Sequence, residues 1–541
     1  MAFMLVQSAA VTVLLLGLWK LSQHVTRILS SPLRALPGPK TSHWLYGNTR
    51  EMYNVEKDTL SKWSKKYGGT FRYKSFFKQD ALFTMDDRAL NHVLTHVNDY
   101  EKPEQARYIL GRILGKGVLV VEGQQHRQQR RVMNPGFGNA QIRDLTDVFF
   151  EKAIKLRDTL LSSVITDTSG EAKRVDIMPW LSRMTLDVIG LAGFNYEFNA
   201  LDMNEKPNEL SQAFEATVNS SEGLDRFSSL QQIFPLLRYI PTARTRNTDN
   251  ARATMMRIGS RLLADAKAAV IASEGGEKIE KSSVQGRDLL SLLVRSNMAT
   301  DIPESQRLSD DDVLAQVPTF LVAGHETTST ATTWALYALT QAPEVQQKLR
   351  REMLEMGTDT PSMDELMALP YLDAVVRETL RLHAPVPTVR RIAVKDDVIP
   401  LETPITDVDG NVQHEIRIVK GTPIYIPVLE ISRSEAVWGA DSRAFRPERW
   451  ETIPEAAAHV PGVWGHLLCF LGGPRACIGF RFSLVEMKAL LFTLIRSFEF
   501  ELAVPVNDIG SIAKIVQVPF VRSEPEKQSQ MPLLIKPYQA S

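Results

Sequence analysis

Cys477 is the residue of this sequence whose surroundings best suit chemistry. It lies in the glycine-rich run Phe470-Leu-Gly-Gly-Pro-Arg-Ala-Cys-Ile-Gly479, directly before an apolar pattern typical of a helix. Backbone N–H groups and the start of a helix favour the thiolate, which is the form that binds metal. Glycines let the loop turn sharply, and Arg475 adds a cation. Such a thiolate can be the axial ligand of a haem iron.

The alternative for any lone cysteine is a small, buried, apolar residue of the core. The chain has two cysteines, Cys469 and Cys477. A four-cysteine zinc site is therefore excluded, and a disulfide framework is not expected. We expect Cys469 to pack in the core.

A second candidate is the acid–hydroxyl pair Glu326 and Thr327, in a helix predicted from about 309 to 342. A polar surface patch is the alternative, but apolar residues on both sides indicate that the helix enters the interior. Gly324 costs such a helix about 1 kcal/mol relative to alanine, and threonines that bond to the preceding turn bend it. Pro318 should kink the first turns.

Two further groups of charged residues stand out. Glu378 and Arg381 are three residues apart on an amphipathic helix predicted over 371–383, and Arg449 follows in Phe445-Arg-Pro-Glu-Arg-Trp450. On a surface, such a pair is worth a few tenths of a kcal/mol. His126 and Arg130 are four residues apart in a basic run, on one face of a helix. A solvated face or a phosphate patch is the alternative for that run.

Together these motifs resemble the cytochrome P450 family of haem-thiolate monooxygenases. The family's haem loop reads Phe-x-x-Gly-x-Arg-x-Cys-x-Gly, and the four motifs span roughly residues 35 to 525. Every fixed position of that loop is filled here, by Phe470, Gly473, Arg475, Cys477 and Gly479.

The resemblance implies a role for each motif. Cys477 would be the axial ligand of the iron of haem b, in a loop where Phe470 and Gly479 also contact the cofactor. Thr327 would donate a hydrogen bond to the iron-bound oxygen, and Glu326 would relay protons, whereas His325 would point away. The buried charge cluster that would lock the loop leading to the cysteine consists of Glu378, Arg381 and Arg449.

The resemblance also implies which residues bind the haem propionates. The family has a tryptophan or histidine followed four residues later by arginine, and His126 and Arg130 match that pattern. Arg475 and Arg391 would complete the set, with Arg390 as the alternative to Arg391.

Composition and pattern agree with a mainly helical enzyme. The chain has 541 residues and equal numbers of basic and acidic residues, 63 each, which argues against a protein built to bind nucleic acid. Length alone suggests three or four domains, but the resemblance implies one large domain, mainly α with a small β region near its N-terminal side. Strand-like runs occur at 70–77, 81–85, 415–419 and 423–428.

The N-terminus predicts a membrane anchor. Residues 2–19 carry no charge and would span about 27 Å as a helix, against a hydrocarbon core of about 30 Å. Basic residues follow this stretch and none precedes it, which favours a retained anchor over a cleaved signal peptide. We therefore predict an anchor at 1–21, a Pro-rich hinge at 22–40 and a haem domain at 41–541. The resemblance to microsomal members places the chain in the endoplasmic reticulum membrane, with the domain facing the cytosol.

These features predict a monooxygenase that hydroxylates a small lipophilic substrate with O2. The chain shows no GxGxxG fingerprint after a strand, so we expect electrons from a separate NADPH–cytochrome P450 reductase, with cytochrome b5 as a further donor. The residues within several of the motifs resemble those of fungal family members, which often oxidise terpenoids. This resemblance favours terpenoids of secondary metabolism as substrates over fatty acids, alkanes or xenobiotics. A haem-thiolate isomerase or peroxygenase and a non-catalytic membrane haem protein are the alternatives from other classes. The predicted pocket segments are 103–119, 214–240 and 385–389.

Overall fold

The computed structural model divides the chain into two compact units. The first comprises Met1–Pro103 and Thr388–Glu430, and the second comprises Glu104–Pro387 and Ile431–Ser541. The predicted boundaries at 1–21, 22–40 and 41–541 stay predictions. The structure describes residues 2–52, 58–164, 171–202, 209–210, 212–213, 227, 230–231, 235–273, 288–298, 303 and 307–539.

A five-stranded sheet forms the centre of the first unit. Aromatic residues on adjacent strands hold it together, because Phe71 lies opposite Phe83 with ring centroids 4.3 Å apart, and Tyr425 packs beyond at 5.9 Å from Phe83. Such cross-strand pairs stabilise a sheet. All neighbouring strands are antiparallel except the second and third. In sheet order the strands are Thr70–Lys74, Asp80–Thr84, Pro423–Ile426, Val389–Ala393 and Tyr100–Glu101.

The remaining elements of the first unit are a two-stranded ribbon and several helices. The ribbon pairs Asp397–Thr406 with Val412–Ile418. Among the residues that the structure describes, no helix is both long enough and apolar enough to cross a membrane, so the predicted transmembrane helix is not confirmed. The α-helices are Ala2–Leu29, Thr49–Met52, Thr59–Tyr67 and Asp87–Thr95, and Val428–Ser432 bridges the boundary between the units.

The second unit is mainly helical, as predicted. Two of its helices matter most here: Gln316–Thr340, called the central helix below, and Phe480–Ser497, called the post-cysteine helix. Both are buried along most of their length, which matches their apolar sequences. The other α-helices are Glu104–Leu114, Gly123–Met133, Asn139–Thr159, Ile177–Phe194, Ala243–Ser273, Leu289–Met298, Asp310–Leu314, Pro343–Leu354, Met363–Met367, Pro370–Leu382, Glu435–Trp438 and Glu455–Ala458.

The single helix predicted from about 309 to 342 is two helices. Ser309 caps the first by accepting a hydrogen bond from the Asp312 backbone N–H, and that helix ends at Leu314. The central helix starts two residues later. Pro318 explains the break, because it has no N–H to donate to the Leu314 carbonyl four residues before it.

The strands predicted at 70–77, 81–85, 415–419 and 423–428 are present, with shifted ends. The first stops at Lys74 because the chain turns at Phe77, whose φ is 53°. The β structure is not confined to the N-terminal side, however. The second unit carries a sheet in the order Lys173–Asp176, Pro532–Pro537, Phe498–Leu502 and a hairpin of Ile509–Ala513 with Gln517–Val521.

Candidate active site

The loop 470–479 places Cys477 three residues before the post-cysteine helix. The Cys477 backbone N–H donates to the Phe470 carbonyl at 2.8 Å, which closes the loop on itself. Leu471 and Gly473 have φ values of 55° and 68°, in the left-handed region. That region suits glycine and costs other residues energy, so Gly473 is the glycine that the turn requires.

Gly479 does not adopt the left-handed conformation that Gly473 adopts. Its φ is −93°, which any residue adopts, and a Cβ atom there would lie 3.6 Å from the Phe137 ring. The Phe137 ring in turn packs edge-on against Phe320 of the central helix, with centroids 5.7 Å apart. Gly479 therefore lies where the cysteine loop packs on an aromatic pair that reaches the central helix.

The Cys477 sulfur has two stabilising neighbours and one opposing influence. Burial is the largest effect and raises the pKa of the thiol, whereas a hydrogen bond from the Gly479 backbone N–H and the Arg130 cation lower it. The residue is nevertheless exposed to solvent. A metal cation that binds there would deprotonate the thiol outright.

Cys469 is partly buried, packs against the main core cluster and is not paired with Cys477. Burial raises the pKa of its thiol well above the usual range. This arrangement agrees with the prediction that it is a core residue.

The basic helix Gly123–Met133 carries two predicted propionate partners, and one of them, Arg130, contacts the cysteine loop. Arg130 donates from Nη1 to the Ala476 carbonyl at 2.6 Å and from Nε to Asn134 Oδ1 at 2.9 Å. His126 is buried on the same helix. Arg475 is also buried, and its guanidinium pairs with the carboxylate of Glu122, the residue before the helix. Sequence reasoning missed Glu122, whose only signal is an acid at a helix start.

Arg391 belongs to the first unit. It is buried in the strand Val389–Ala393, where its Nη1 donates to the Arg390 carbonyl at 2.9 Å. Burial lowers the pKa of its guanidinium to about 10. Its role beside the cysteine loop of the second unit stays a prediction.

The predicted acid–hydroxyl pair lies on an accessible notch of the central helix. Ala323 is exposed, and Gly324, Glu326 and Thr327 are partly exposed, although their neighbours on both sides are buried. Thr327 Oγ1 donates to the Ala323 carbonyl one turn earlier at 2.6 Å. A carboxyl and a hydroxyl group therefore line an opening in an otherwise buried helix.

The helix Ile177–Phe194 packs against the central helix, and Gly324 lies where the two helices approach each other. A Cβ atom at Gly324 would lie 2.8 Å from Ile189 Cδ1, so a larger residue there would require the Ile189 side chain to move. His325 forms a hydrogen bond between its Nε2 and Ser182 Oγ at 2.6 Å. Burial lowers the pKa of His325. This contact turns the imidazole toward the neighbouring helix, in agreement with a residue that takes no part in the chemistry.

The predicted charge cluster is a fully buried hydrogen-bond network. Glu378 accepts two bonds of 2.8 Å from Arg381 and one of 3.4 Å from Arg449 Nε. The Arg446 backbone N–H and Trp450 Nε1 add bonds of 3.0 and 3.1 Å. The carboxylate is thus saturated with donors, as a buried charge requires.

The remaining N–H groups of the two arginines donate hydrogen bonds to neighbouring backbone carbonyls and to one further carboxylate. Arg381 donates to the Ser432 carbonyl at 2.7 Å, and Arg449 donates to Asp441 at 2.8 Å. Asp441 and the backbone acceptors could not be identified from the sequence, because acceptors of this kind have no residue signature.

A line of aromatic rings connects this cluster with the cysteine loop. The Arg377 guanidinium lies 5.5 Å from the Trp450 ring centroid and 4.8 Å from that of Trp464. Trp464 packs edge-on against Phe470, with centroids 5.7 Å apart. Sequence reasoning missed Arg377 and Trp464. Their contacts support the prediction that the cluster holds the chain leading to Cys477.

These residues fit a haem. Among the described residues, no group of three or more histidine, cysteine, aspartate and glutamate side chains could hold a metal ion. The site offers one exposed cysteine, a neighbouring cation at Arg130, and at Arg475 a cation whose present partner is itself a carboxylate. A macrocycle that brings four ligands of its own and two carboxylates matches this donor set.

The predicted pocket segments are only partly described. Much of 214–240 lies outside the described residues. The segment 103–119 forms the helix Glu104–Leu114, whose Ile113 and Leu114 are core residues of the second unit. The segment 385–389 crosses the boundary between the two units.

Comparison with known proteins gives a consistent result. The family model for cytochrome P450 matches residues 37–519. Cytochrome P450 monooxygenase 205 of Postia placenta is 57% identical over 533 residues, covering 98% of both chains. Cytochrome P450 monooxygenase 128 of the same fungus is 53% identical, covering 98% of this chain and 97% of its own. The ganoderic acid synthetase of Ganoderma lucidum is 34% identical over 88% of this chain and 89% of its own.

Proposed function

Because the chain belongs to the cytochrome P450 family and is a monooxygenase with haem b as its cofactor, we propose that it hydroxylates a lipophilic C–H substrate. The observation that carries the proposal is Cys477, an exposed cysteine on a loop that is closed by its own backbone hydrogen bond to Phe470. When bound, haem supplies the reductive activation of dioxygen and the insertion of one oxygen atom into the substrate.

The chain's own residues would then have three tasks. Cys477 Sγ would hold the iron as a thiolate, with the Gly479 N–H and Arg130 sharing its negative charge. Glu326 would take protons from solvent at its carboxylate and pass them toward Thr327 Oγ1. Thr327 would release the Ala323 carbonyl in order to donate into the notch of the central helix.

The third task is to bind the propionates and the ring. We assign the propionates to His126, Arg130, Arg391 and Arg475, with Arg475 exchanging the Glu122 carboxylate for that of the cofactor. Phe470 and Gly479 would contact the ring from the cysteine loop. The Arg475 guanidinium can bind a carboxylate with two parallel hydrogen bonds, whether that carboxylate belongs to Glu122 or to a haem propionate.

For the substrate we propose a terpenoid of fungal secondary metabolism. The support is that relatives over nearly the whole chain are fungal and that one of them is named a ganoderic acid synthetase. Fatty acids, alkanes and xenobiotics are the competing substrates. Metabolite profiling after co-expression with a reductase in yeast, with a panel of terpenoids and fatty acids, tests this choice, and turnover of the fatty acids alone would contradict it.

We further propose a single-pass anchor at residues 1–21 in the endoplasmic reticulum membrane, with electrons from a separate NADPH–cytochrome P450 reductase and with cytochrome b5 as a further donor. The support is the uncharged run 2–19, followed by basic residues. The full chain should then remain with washed yeast microsomes, and a variant without residues 2–21 should be released. Equal retention of both would contradict the anchor.

The first experiment addresses the thiolate. The reduced protein should form with carbon monoxide the absorption band that gives the family its number, and Cys477→Ala should lose that band. Cys469→Ala is the matched control, because it removes a sulfur from the core and should keep the band. A folded wild-type protein that shows the band of an imidazole-ligated haem would contradict the assignment.

The second experiment addresses the notch. Thr327→Ala should retain haem and the carbon monoxide band but divert electrons from NADPH to hydrogen peroxide, because a proton donor is lost. Thr330→Val, on a buried part of the same helix, is the control. Unchanged coupling in Thr327→Ala would remove the proposed role of this hydroxyl.

A further inference from the structure

The post-cysteine helix carries a buried acid that the proposed function does not use. Glu486 lies nine residues after Cys477, and its side chain is fully buried. Neither carboxyl oxygen accepts a hydrogen bond with good geometry from the described residues. A carboxylate in such a place would pay a large desolvation cost, whereas the neutral acid pays much less.

The polar group beside this carboxyl is the hydroxyl of Thr328 on the central helix. Burial raises the pKa of Glu486 well above the usual range, and the nearby Thr328 hydroxyl opposes that effect. Thr328 is itself buried, and its Oγ1 likewise has no hydrogen bond of good geometry among the described residues. The Glu486 carboxyl and the Thr328 hydroxyl, on two helices that pack together, are therefore the nearest available hydrogen-bond partners of each other.

No charged side chain of the described residues contributes to the pKa shift of Glu486. The charged groups on the surrounding helices have partners of their own. Lys488 pairs with Asp373 at 2.9 Å, and Lys152 pairs with Glu151 at 2.6 Å. On the central helix, Glu326 lies 3.6 Å from the imidazole of His325. On the helix Pro343–Leu354, Arg350 donates to the Ile495 and Phe498 carbonyls.

We propose that Glu486 is a positioning residue that acts as a neutral acid. Its COOH group donates a hydrogen bond to Thr328 Oγ1, and this bond fixes the turn that carries Glu326 and Thr327 relative to the helix that follows Cys477. The bond thus connects the central helix, which carries Glu326 and Thr327, to the post-cysteine helix, which follows the proposed iron ligand. The inference rests on the proposed function, because it assigns the two helices to the two sides of one reaction site.

The first test is spectroscopic and does not depend on turnover. The infrared spectrum of the purified holoprotein should contain the C=O stretch of a buried carboxylic acid at a pH above the ordinary glutamate pKa of about 4.3. Glu486→Gln should lose this band, and Thr328→Val should shift it, since the acid loses its acceptor. Thr493→Val, which removes another buried hydroxyl from the post-cysteine helix, should leave it unchanged. A band that is absent in the wild type, or unmoved by Thr328→Val, would overturn the proposal.

The second test measures positioning. With NADPH and a cytochrome P450 reductase, Glu486→Leu and Thr328→Val should each raise hydrogen peroxide release severalfold, and the double variant should release no more than either. Glu486→Gln should instead release hydrogen peroxide at the wild-type rate, because the neutral amide of glutamine can also donate a hydrogen bond to Thr328. Additive increases in the double variant would overturn the proposal. So would a Glu486→Gln variant that releases as much hydrogen peroxide as Glu486→Leu.

Failure of the proposed function gives a different result. Without the thiolate's carbon monoxide band the monooxygenase assignment fails, whereas the infrared band of Glu486 and its response to Thr328→Val do not require that ligation.

Discussion

Glu378 and Glu486 are both fully buried glutamates of the second unit, but their carboxyl groups have opposite surroundings. Glu378 accepts hydrogen bonds from two arginines, one tryptophan and one backbone N–H. Glu486 accepts none from the described residues and has a single hydroxyl beside it. The first is a stabilised charge that holds structure, and the second is an acid that stays neutral. Burial alone therefore does not indicate what a carboxyl group does.

The largest effect is expected from breaking the saturated cluster. Glu378→Leu leaves Arg381 and Arg449 without this counter-charge, and we expect the free energy of unfolding to fall by about 3–5 kcal/mol. Urea unfolding followed by tryptophan fluorescence measures it. The matched control is Glu448→Gln, at an exposed pair with Lys348, which should change it by less than about 1 kcal/mol. Equal losses in both variants would remove the distinction between buried and exposed pairs.

The next effect concerns the pH dependence of Glu486. In the unfolded chain this group releases its proton near pH 4.3, but in the folded protein burial raises its pKa. The folded state therefore holds an extra proton above that pH, so rising pH favours unfolding by up to about 1.4 kcal/mol per pH unit until the folded pKa is passed.

Glu486→Gln cannot titrate and should lack this loss of stability. The difference in unfolding free energy between this variant and the wild type should therefore grow in favour of the variant as the pH rises above about 4.3. Unfolding curves at three pH values measure it. Parallel pH dependences would show that the Glu486 carboxyl ionises in the folded protein as it does in the unfolded chain.

A smaller effect is expected from removing one donor out of the saturated set. Trp450→Phe keeps an aromatic ring but deletes the 3.1 Å bond to Glu378, which should cost about 1–3 kcal/mol because the acceptor is charged and buried. The same unfolding measurement applies. A loss as large as that of Glu378→Leu would show that Trp450 contributes mainly through the packing of its larger indole side chain and not through this hydrogen bond.

Much of the fold could be predicted from local pattern. The helix that carries Glu378 was expected over 371–383 and is Pro370–Leu382, because its apolar residues follow the helical period. The strand Phe498–Leu502 was missed, although Phe-Glu-Phe-Glu-Leu alternates as a half-buried strand does. The break before the central helix follows from Pro318, whose effect reaches four residues back to Leu314.

The candidate site was less predictable, since its decisive contacts join distant segments. The purpose of Gly324 depends on Ile189, and the partner of Arg475 is Glu122. Neither pairing has a signal in the spacing of residues, because both depend on how helices pack. Residues that belong to a fixed motif, such as Cys477 in its loop, could be identified from the sequence without knowledge of these tertiary contacts.

The two glutamates separate what the sequence determines from what packing decides. Both have a basic residue close by in the chain, Arg381 three positions after Glu378 and Lys488 two positions after Glu486. Helix geometry puts the first pair on one face and the second on different faces, so Lys488 reaches Asp373 instead. That much is local and readable from the sequence. Which neighbouring helix covers each carboxyl, and whether it brings arginines or a lone threonine, depends on tertiary contacts, because the charge of a buried group is set by what surrounds it.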